Sequence, residues 1–179
     1  GSAHPDNVAP ALHGGLVMVR PDAPAVAIDL PVPRGLTIAL IHPHLELETK
    51  AMREALSTDV PLTLAVAQWA DCAALVVGLY EEDWDLISRA LMDRIAQPTR
   101  SPFVPGFTEV RAAAIEAGAV GAGLSGSGPS VFGLCRNLRD AEVVANAMTQ
   151  AFASAGLDRI DSYVSPVDSR GARIVGGTA

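Results

Sequence analysis

Between residues 119 and 135 the chain reads AVGAGLSGSGPSVFGLC. Apolar, β-like runs at 119–124 and 130–135 flank Ser125-Gly126-Ser127-Gly128-Pro129-Ser130, a turn with almost no side chain. Such a turn constrains the fold, because a second backbone or a ligand must come close to it. Glycine tolerates positive φ and leaves amides uncovered, and the serine hydroxyls add donors, so the segment suits an anion. The plainer reading is a tight glycine hairpin joining two buried strands. The letters alone leave both open.

Other motif readings fail on context. Gly121-Ala122-Gly123-Leu124-Ser125-Gly126 satisfies G-x-G-x-x-G, but a dinucleotide fingerprint must follow a strand and open a helix. Here Pro129 and a second β-like run follow instead. No G-K-[ST] closes a phosphate loop and no G-x-S-x-G marks a hydrolase elbow. His42-Pro43-His44-Leu45-Glu46-Leu47-Glu48 invites a metal reading. Pro43 bends the chain between the imidazoles, and Glu46 and Glu48 suit a helix start, where spacing by two points side chains apart. No metal ligand is assigned.

The rest of the chain orders as strands, helices and an alternating end. Residues 15–20, 25–30 and 36–41 are short β-like runs with Pro and Gly punctuation, which predicts an antiparallel meander. Helices are expected over 47–56, 61–81, 84–95 and 107–117, with Thr58 or Asp59 available as a cap near Pro61 and Asp83 ahead of the third. Then come strand 119–124, the glycine turn, strand 130–135, a helix near 140–155 and strand 161–165. This order predicts an α+β fold, a mainly antiparallel sheet with helices packed on one face.

At 179 residues and 49% hydrophobic content the chain can bury roughly two-thirds of its unfolded surface, so one domain is expected. A net charge of −7 with no Lys/Arg cluster argues against nucleic acid and anionic membranes as partners. The apolar stretch Leu62–Leu79 is broken by Gln68 and Asp71 and reads as a buried helix, not a membrane span. Cys72 and Cys135 each sit among Ala, Leu and Val and read as buried free thiols.

Few charged residues are available for chemistry. Arg100, in Gln97-Pro98-Thr99-Arg100-Ser101-Pro102, is placed in a proline-bracketed loop, where its guanidinium could clamp a carboxylate in two parallel hydrogen bonds. His4, Asp6 and Asn7 form a polar cluster whose ordinary reading is a solvated terminus. Arg173 reads equally as an edge-strand arginine or as a contact for a carboxylate or phosphoryl group.

GAVGAGLSGSGPSVFGLC resembles the C-terminal glycine-rich motif of the GHMP kinases. Within that superfamily HPDNVAPALHGG (4–15), HPHLELETKAMREAL (42–56), DRIAQPTRSPFVPGF (93–107) and VSPVDSRGARIV (164–175) resemble the homoserine kinases, in order and over nearly the whole chain. The resemblance implies a ferredoxin-like C-terminal domain, with residues 1–41 as strands leading in from an N-terminal ATP-binding domain and 42–179 as the helical and ferredoxin-like part. No P-x-x-x-G-L-G-S-S-A loop is present, so this part alone is expected to be inactive and to hold no catalytic residue. The implied reaction moves the γ-phosphoryl of ATP to L-homoserine, in threonine biosynthesis and in the cytoplasm, with ATP and Mg²⁺ bound mainly by the N-terminal half. The family places a substrate-contacting arginine where Arg100 stands and the H-x-D-N stretch beside the amino acid. His4, Asn7, Arg100 and Arg173 thus become substrate-binding candidates, and Ser125, Gly126, Ser127 and Gly128 support for the phosphate loop. The chain's own N-terminal domain is an expected partner, and a homodimer is left open. Another GHMP small-molecule kinase, or a non-catalytic ferredoxin-like ligand-binding module, are the alternatives.

Overall fold

A computed structural model describes residues 5–20, 22–45 and 56–175. The helix expected over 47–56 lies almost wholly outside the described residues, as do His4, Glu46 and Glu48. The chain divides into two units, Gly1–Pro33 with Val167–Ala179, and Arg34–Pro166.

In the first unit, helix α1 (Pro5–His13) leads through Gly14 and Gly15 into strand β1 (Leu16–Arg20), which pairs antiparallel with β2 (Ala23–Leu30). Gly14 must be glycine. Its φ is +76°, and a Cβ there would lie 2.4 Å from the Gly171 nitrogen. The Gly15 amide donates to the Asp168 carbonyl at 2.8 Å, and the Ala172 amide to that of Ala11 at 2.9 Å, so the chain's last described segment closes back on α1.

The second unit begins with β3 (Thr37–Pro43). The predicted meander stops short of it, because β3 pairs with later strands and not with β2. Helix α2 (Leu62–Glu81), α3 (Trp84–Ala90), α4 (Ala96–Arg100), a single 3₁₀ turn and α5 (Phe107–Glu116) follow. Strand β4 (Gly121–Leu124), β5 (Val131–Cys135), α6 (Leu138–Ser154) and β6 (Ile160–Pro166) complete it. The sheet order is β4-β5-β3-β6, all antiparallel. Strand–helix–strand–strand–helix–strand with the first and third strands central is the ferredoxin-like arrangement. The fold inferred from the α+β pattern is therefore the fold observed.

Strict alternation along β3 buries Thr37, Ala39, Ile41 and Pro43 on one face. Helix α6 supplies the matching stripe, with Ala141, Val144, Ala145, Met148 and Phe152 buried at helical spacing. Val110 and Ala114 of α5 join them. Gly133 lets α6 approach β5, since a Cβ there would lie 2.9 Å from the Val144 side chain. On the opposite face, Leu91 and Gln97 reach over Gly121 and Gly123 of the edge strand β4.

Three local expectations are corrected. The helix predicted over 84–95 ends at Ala90, because the Asp93 carboxylate accepts from the amides of Ile95 (2.9 Å), Ala96 (2.7 Å) and Gln97 (3.0 Å) and starts a new helix. Asp83 does cap α3, accepting from the amides of Asp85 and Leu86, but α2 starts at Pro61 with no side-chain cap from Thr58 or Asp59. Finally α2 is not buried. Only Gly78 and Leu79 are, and Leu62, Val66, Trp69, Val77 and Tyr80 stand exposed. By length and composition α2 could cross a membrane. Its polar groups instead bond protein: Gln68 Nε2 donates to the Met92 carbonyl at 3.0 Å, its Oε1 accepts the Arg94 amide at 2.7 Å, and Asp71 pairs with Arg94.

Both cysteines are free, as read from the sequence, but only Cys135 is buried. Burial pushes the Cys135 thiol up to about 11, with the Asp140 carboxylate adding to the rise. Cys72 lies exposed on α2. At about pH 8 a disulfide reagent should therefore label one thiol of the folded chain quickly and the second only on unfolding. Two fast thiols would contradict the buried placement of Cys135.

Candidate functional site

The hairpin between β4 and β5 carries the glycine turn. The Ser125 amide donates to the Ser130 carbonyl at 2.9 Å and the Gly128 amide to that of Ser125 at 3.0 Å. Between these rungs Gly126 (φ +61°) and Gly128 (φ +81°) take left-handed backbone, and the Gly128–Pro129 peptide is cis. Among the described residues the amides of Gly126 and Ser127 and the hydroxyls of Ser125 and Ser127 make no hydrogen bond. A Cβ added at Gly126 meets nothing within 4 Å. The turn thus presents unused donors to open space.

Three side chains from outside the hairpin hold its turn end. Arg100 Nη1 donates to the Gly126 carbonyl at 3.3 Å, Gln97 Oε1 accepts the Leu124 amide at 3.1 Å, and His42 Nδ1 lies 2.9 Å from Ser130 Oγ. Arg100 was expected in a loop and instead ends α4. Pro98 falls in that helix's first turn, where its missing N–H has no helical partner to lose. Arg100 as a whole is half-buried, and its Nε is buried with no hydrogen-bond partner. A buried guanidinium nitrogen left unpaired costs free energy.

A cavity of about 180 Å³ lies against the incoming leg of the hairpin, lined in part by Leu91, Asp93, Gln97, Gly123, Leu124 and Phe132. Arg111, on α5, donates from Nε to the Ala122 carbonyl at 3.1 Å and ties the next stretch of β4.

Arg100 and the 125–128 turn are brought into contact in the second unit. Asn7 is exposed on α1 in the first. Arg173 lies beyond β6 and on no strand, against the edge-strand reading, and its Nη1 donates to Asp168 Oδ2 at 3.2 Å and to the Gly171 carbonyl at 3.4 Å. The Arg170 amide, then Arg173, hold the Asp168 carboxyl below the usual carboxylate range. His42 and His44 face each other edge-on, 5.3 Å between ring centroids, but His42 bonds Ser130 and His44 pairs with Asp161 at 2.9 Å. Among the described residues no three His, Cys, Asp or Glu side chains converge as a metal site. Gln97, Asp93 and His42 were missed as parts of this site. Asp93 ahead of a short apolar break was the one legible signal, a cap without a long helix behind it.

Residues 75–154 match the family model described as GHMP kinases C terminal, a span that holds α4, Arg100, the glycine turn and all of α6. These residues form a GHMP kinase C-terminal domain. Homoserine kinase from Chlorobaculum tepidum is 46% identical over 180 residues, covering 100% of this chain and 56% of that protein. Homoserine kinase from Chlorobium phaeobacteroides is 44% identical over 176 residues, covering 98% and 55%. The crystal structure of homoserine kinase from Cytophaga hutchinsonii superposes with a TM-score of 0.91 at 45% identity, covering 95% of this chain and 54% of that one. The chain spans about half the length of the curated relatives it matches. The second unit thus carries the glycine turn on the hairpin of its ferredoxin-like sheet, and the arginine that touches it comes from the helices between that sheet's first two strands.

Proposed function

We propose that the whole protein transfers the γ-phosphoryl group of ATP to the side-chain hydroxyl of L-homoserine, and that this chain supplies the amino-acid-binding side of that site. The observation that carries the reading is Arg100, fixed to the glycine turn by one nitrogen and left with a buried, unpaired Nε. Phosphoryl transfer needs positioning and charge neutralisation more than covalent chemistry. In this reading the Arg100 fork takes the substrate carboxylate, and the free Gly126 and Ser127 amides support the segment that cradles the nucleotide phosphates. His4, Asn7 and Arg173 are carried as binding candidates on the resemblance alone. Mg²⁺ would neutralise the ATP phosphates. Among the described residues no group of His, Cys, Asp or Glu fits it, so its protein ligands are proposed to lie outside them. Threonine biosynthesis in the cytoplasm, without membrane or nucleic-acid partners, completes the reading, and the protein's own N-terminal domain is the proposed partner.

The test is a panel of small alcohols offered with ATP to the full-length protein, with ADP release and the phosphorylated product both followed. L-homoserine should be used with a kcat/KM at least roughly tenfold above galactose, which has no carboxylate, since a carboxylate-clamping site left with unpaired donors rejects analogues that lack the partner. Better use of another alcohol would make the protein a different small-molecule kinase. Transfer to none of them would leave a ligand-binding module.

A further inference from the structure

We propose that Gln97 is a positioning residue, whose side-chain carbonyl sets the register of the glycine turn against Arg100. This rests on the kinase reading above. Strand β4 is an edge strand, so every second amide along it points away from the sheet with no strand partner. The Leu124 amide is one of these, and Gln97 Oε1 accepts it at 3.1 Å. Two residues on, the Gly126 carbonyl accepts from Arg100 at 3.3 Å. Gln97 and Arg100 are three apart on α4 and so share a face. One side chain accepts and the other donates, so the helix grips the edge of the hairpin at two points of opposite polarity. Asp93 fixes the helix itself by taking its first amides.

Gly123 supplies an independent sign that the contact is built. Its φ lies outside the left-handed region, so its backbone does not require glycine. A Cβ there would lie 2.7 Å from Gln97 Oε1, while its other close neighbours, on the Phe132 ring, begin at an acceptable 3.4 Å. What the missing side chain leaves room for is the Gln97 amide. Without that amide, the Leu124 N–H loses its acceptor and the turn is free to shift relative to the guanidinium, and displacements of about 1 Å in such supports cost up to roughly a hundredfold in rate.

The experiment uses the full-length protein with ATP and L-homoserine. Gln97→Ala should lower kcat/KM for L-homoserine by about tenfold to a hundredfold with little change in melting temperature. Gln97→Glu, which keeps an acceptor oxygen in place, should recover most of the loss. Gly123→Ala should be as harmful as Gln97→Ala in the wild-type background and nearly silent when added to Gln97→Ala, because the clashing oxygen is then gone. Hydrogen exchange at the Leu124 amide should accelerate by about tenfold in Gln97→Ala. Wild-type kinetics for Gln97→Ala, or losses that simply add in the double variant, would overturn the proposal. A wild-type protein that does not phosphorylate homoserine would instead sink the kinase reading, and the Leu124 exchange rate would still decide whether Gln97 holds the turn.

Discussion

Replacing Arg100 by lysine in the full-length protein should weaken the use of L-homoserine by about tenfold to a few hundredfold, on the order of 1–3 kcal/mol for a charged hydrogen bond, with ATP binding little changed. Lysine keeps the charge but loses the planar fork. Arg100 spends Nη1 on the Gly126 carbonyl, and the proposed carboxylate contact asks the same planar group to donate in a second direction. An ammonium on a flexible stem can satisfy one of the two directions. Steady-state kinetics against each substrate in turn measures the effect. Unchanged homoserine kinetics would reduce Arg100 to a brace for the turn.

The largest expected loss of stability comes from Phe152→Ala, at about 3–5 kcal/mol. Phe152 is fully buried near the end of α6, within the core that α5, α6 and the sheet enclose. Its ring also lies 3.9 Å from where a Cβ on Gly106 would stand, so the turn that starts α5 packs down onto it. Truncation removes an aromatic side chain where the two crossover helices meet, and the close packing of Val110, Met148 and Ala145 leaves little room for collapse. A drop of this size should lower the melting temperature on the order of 10 °C for a domain of this length. A shift under about 2 °C would mean that the C-terminal end of α6 does not belong to the cooperative core.

The ferredoxin-like sheet was legible because its signals are local and repeated. A short β-like run between proline and glycine marked β3, a helical stretch near 140–155 marked α6, and glycine with serine marked the hairpin between two apolar runs. The pairing of β3 was not legible, since such a run suits any antiparallel neighbour and its partners lie roughly a hundred residues downstream. The exposure of α2 was hidden for a related reason. An apolar composition states that a face can be buried without stating what buries it, and Gln68 and Asp71, read as interruptions, turned out to be the groups that bond the 92–94 segment.

The site divided along the same line. The turn and Arg100 could be singled out by residue type and by resemblance, but their contact could not, because it depends on α4 being a helix. Asp93 makes it one by capping three amides, and that local bond places Gln97 and Arg100 on the edge of β4. The sequence reading placed Arg100 in a proline-bracketed loop, whereas it ends a helix that sets it half-buried against the turn. His42 was set aside with His44 once the metal reading failed, yet one ring serves the hairpin through Ser130 and the other an acidic partner on β6.

The claim that Arg100 receives the carboxylate of an amino acid can be tested from both sides of the contact. L-homoserine and aminopropanol, the same amino alcohol without its carboxylate, are offered to the wild-type full-length protein and to Arg100→Ala. The wild type should prefer homoserine by about a hundredfold in kcat/KM, and the variant should lose nearly all of that preference by losing homoserine alone, as expected when both changes remove one interaction. A preference that survives in Arg100→Ala would place the carboxylate on another residue.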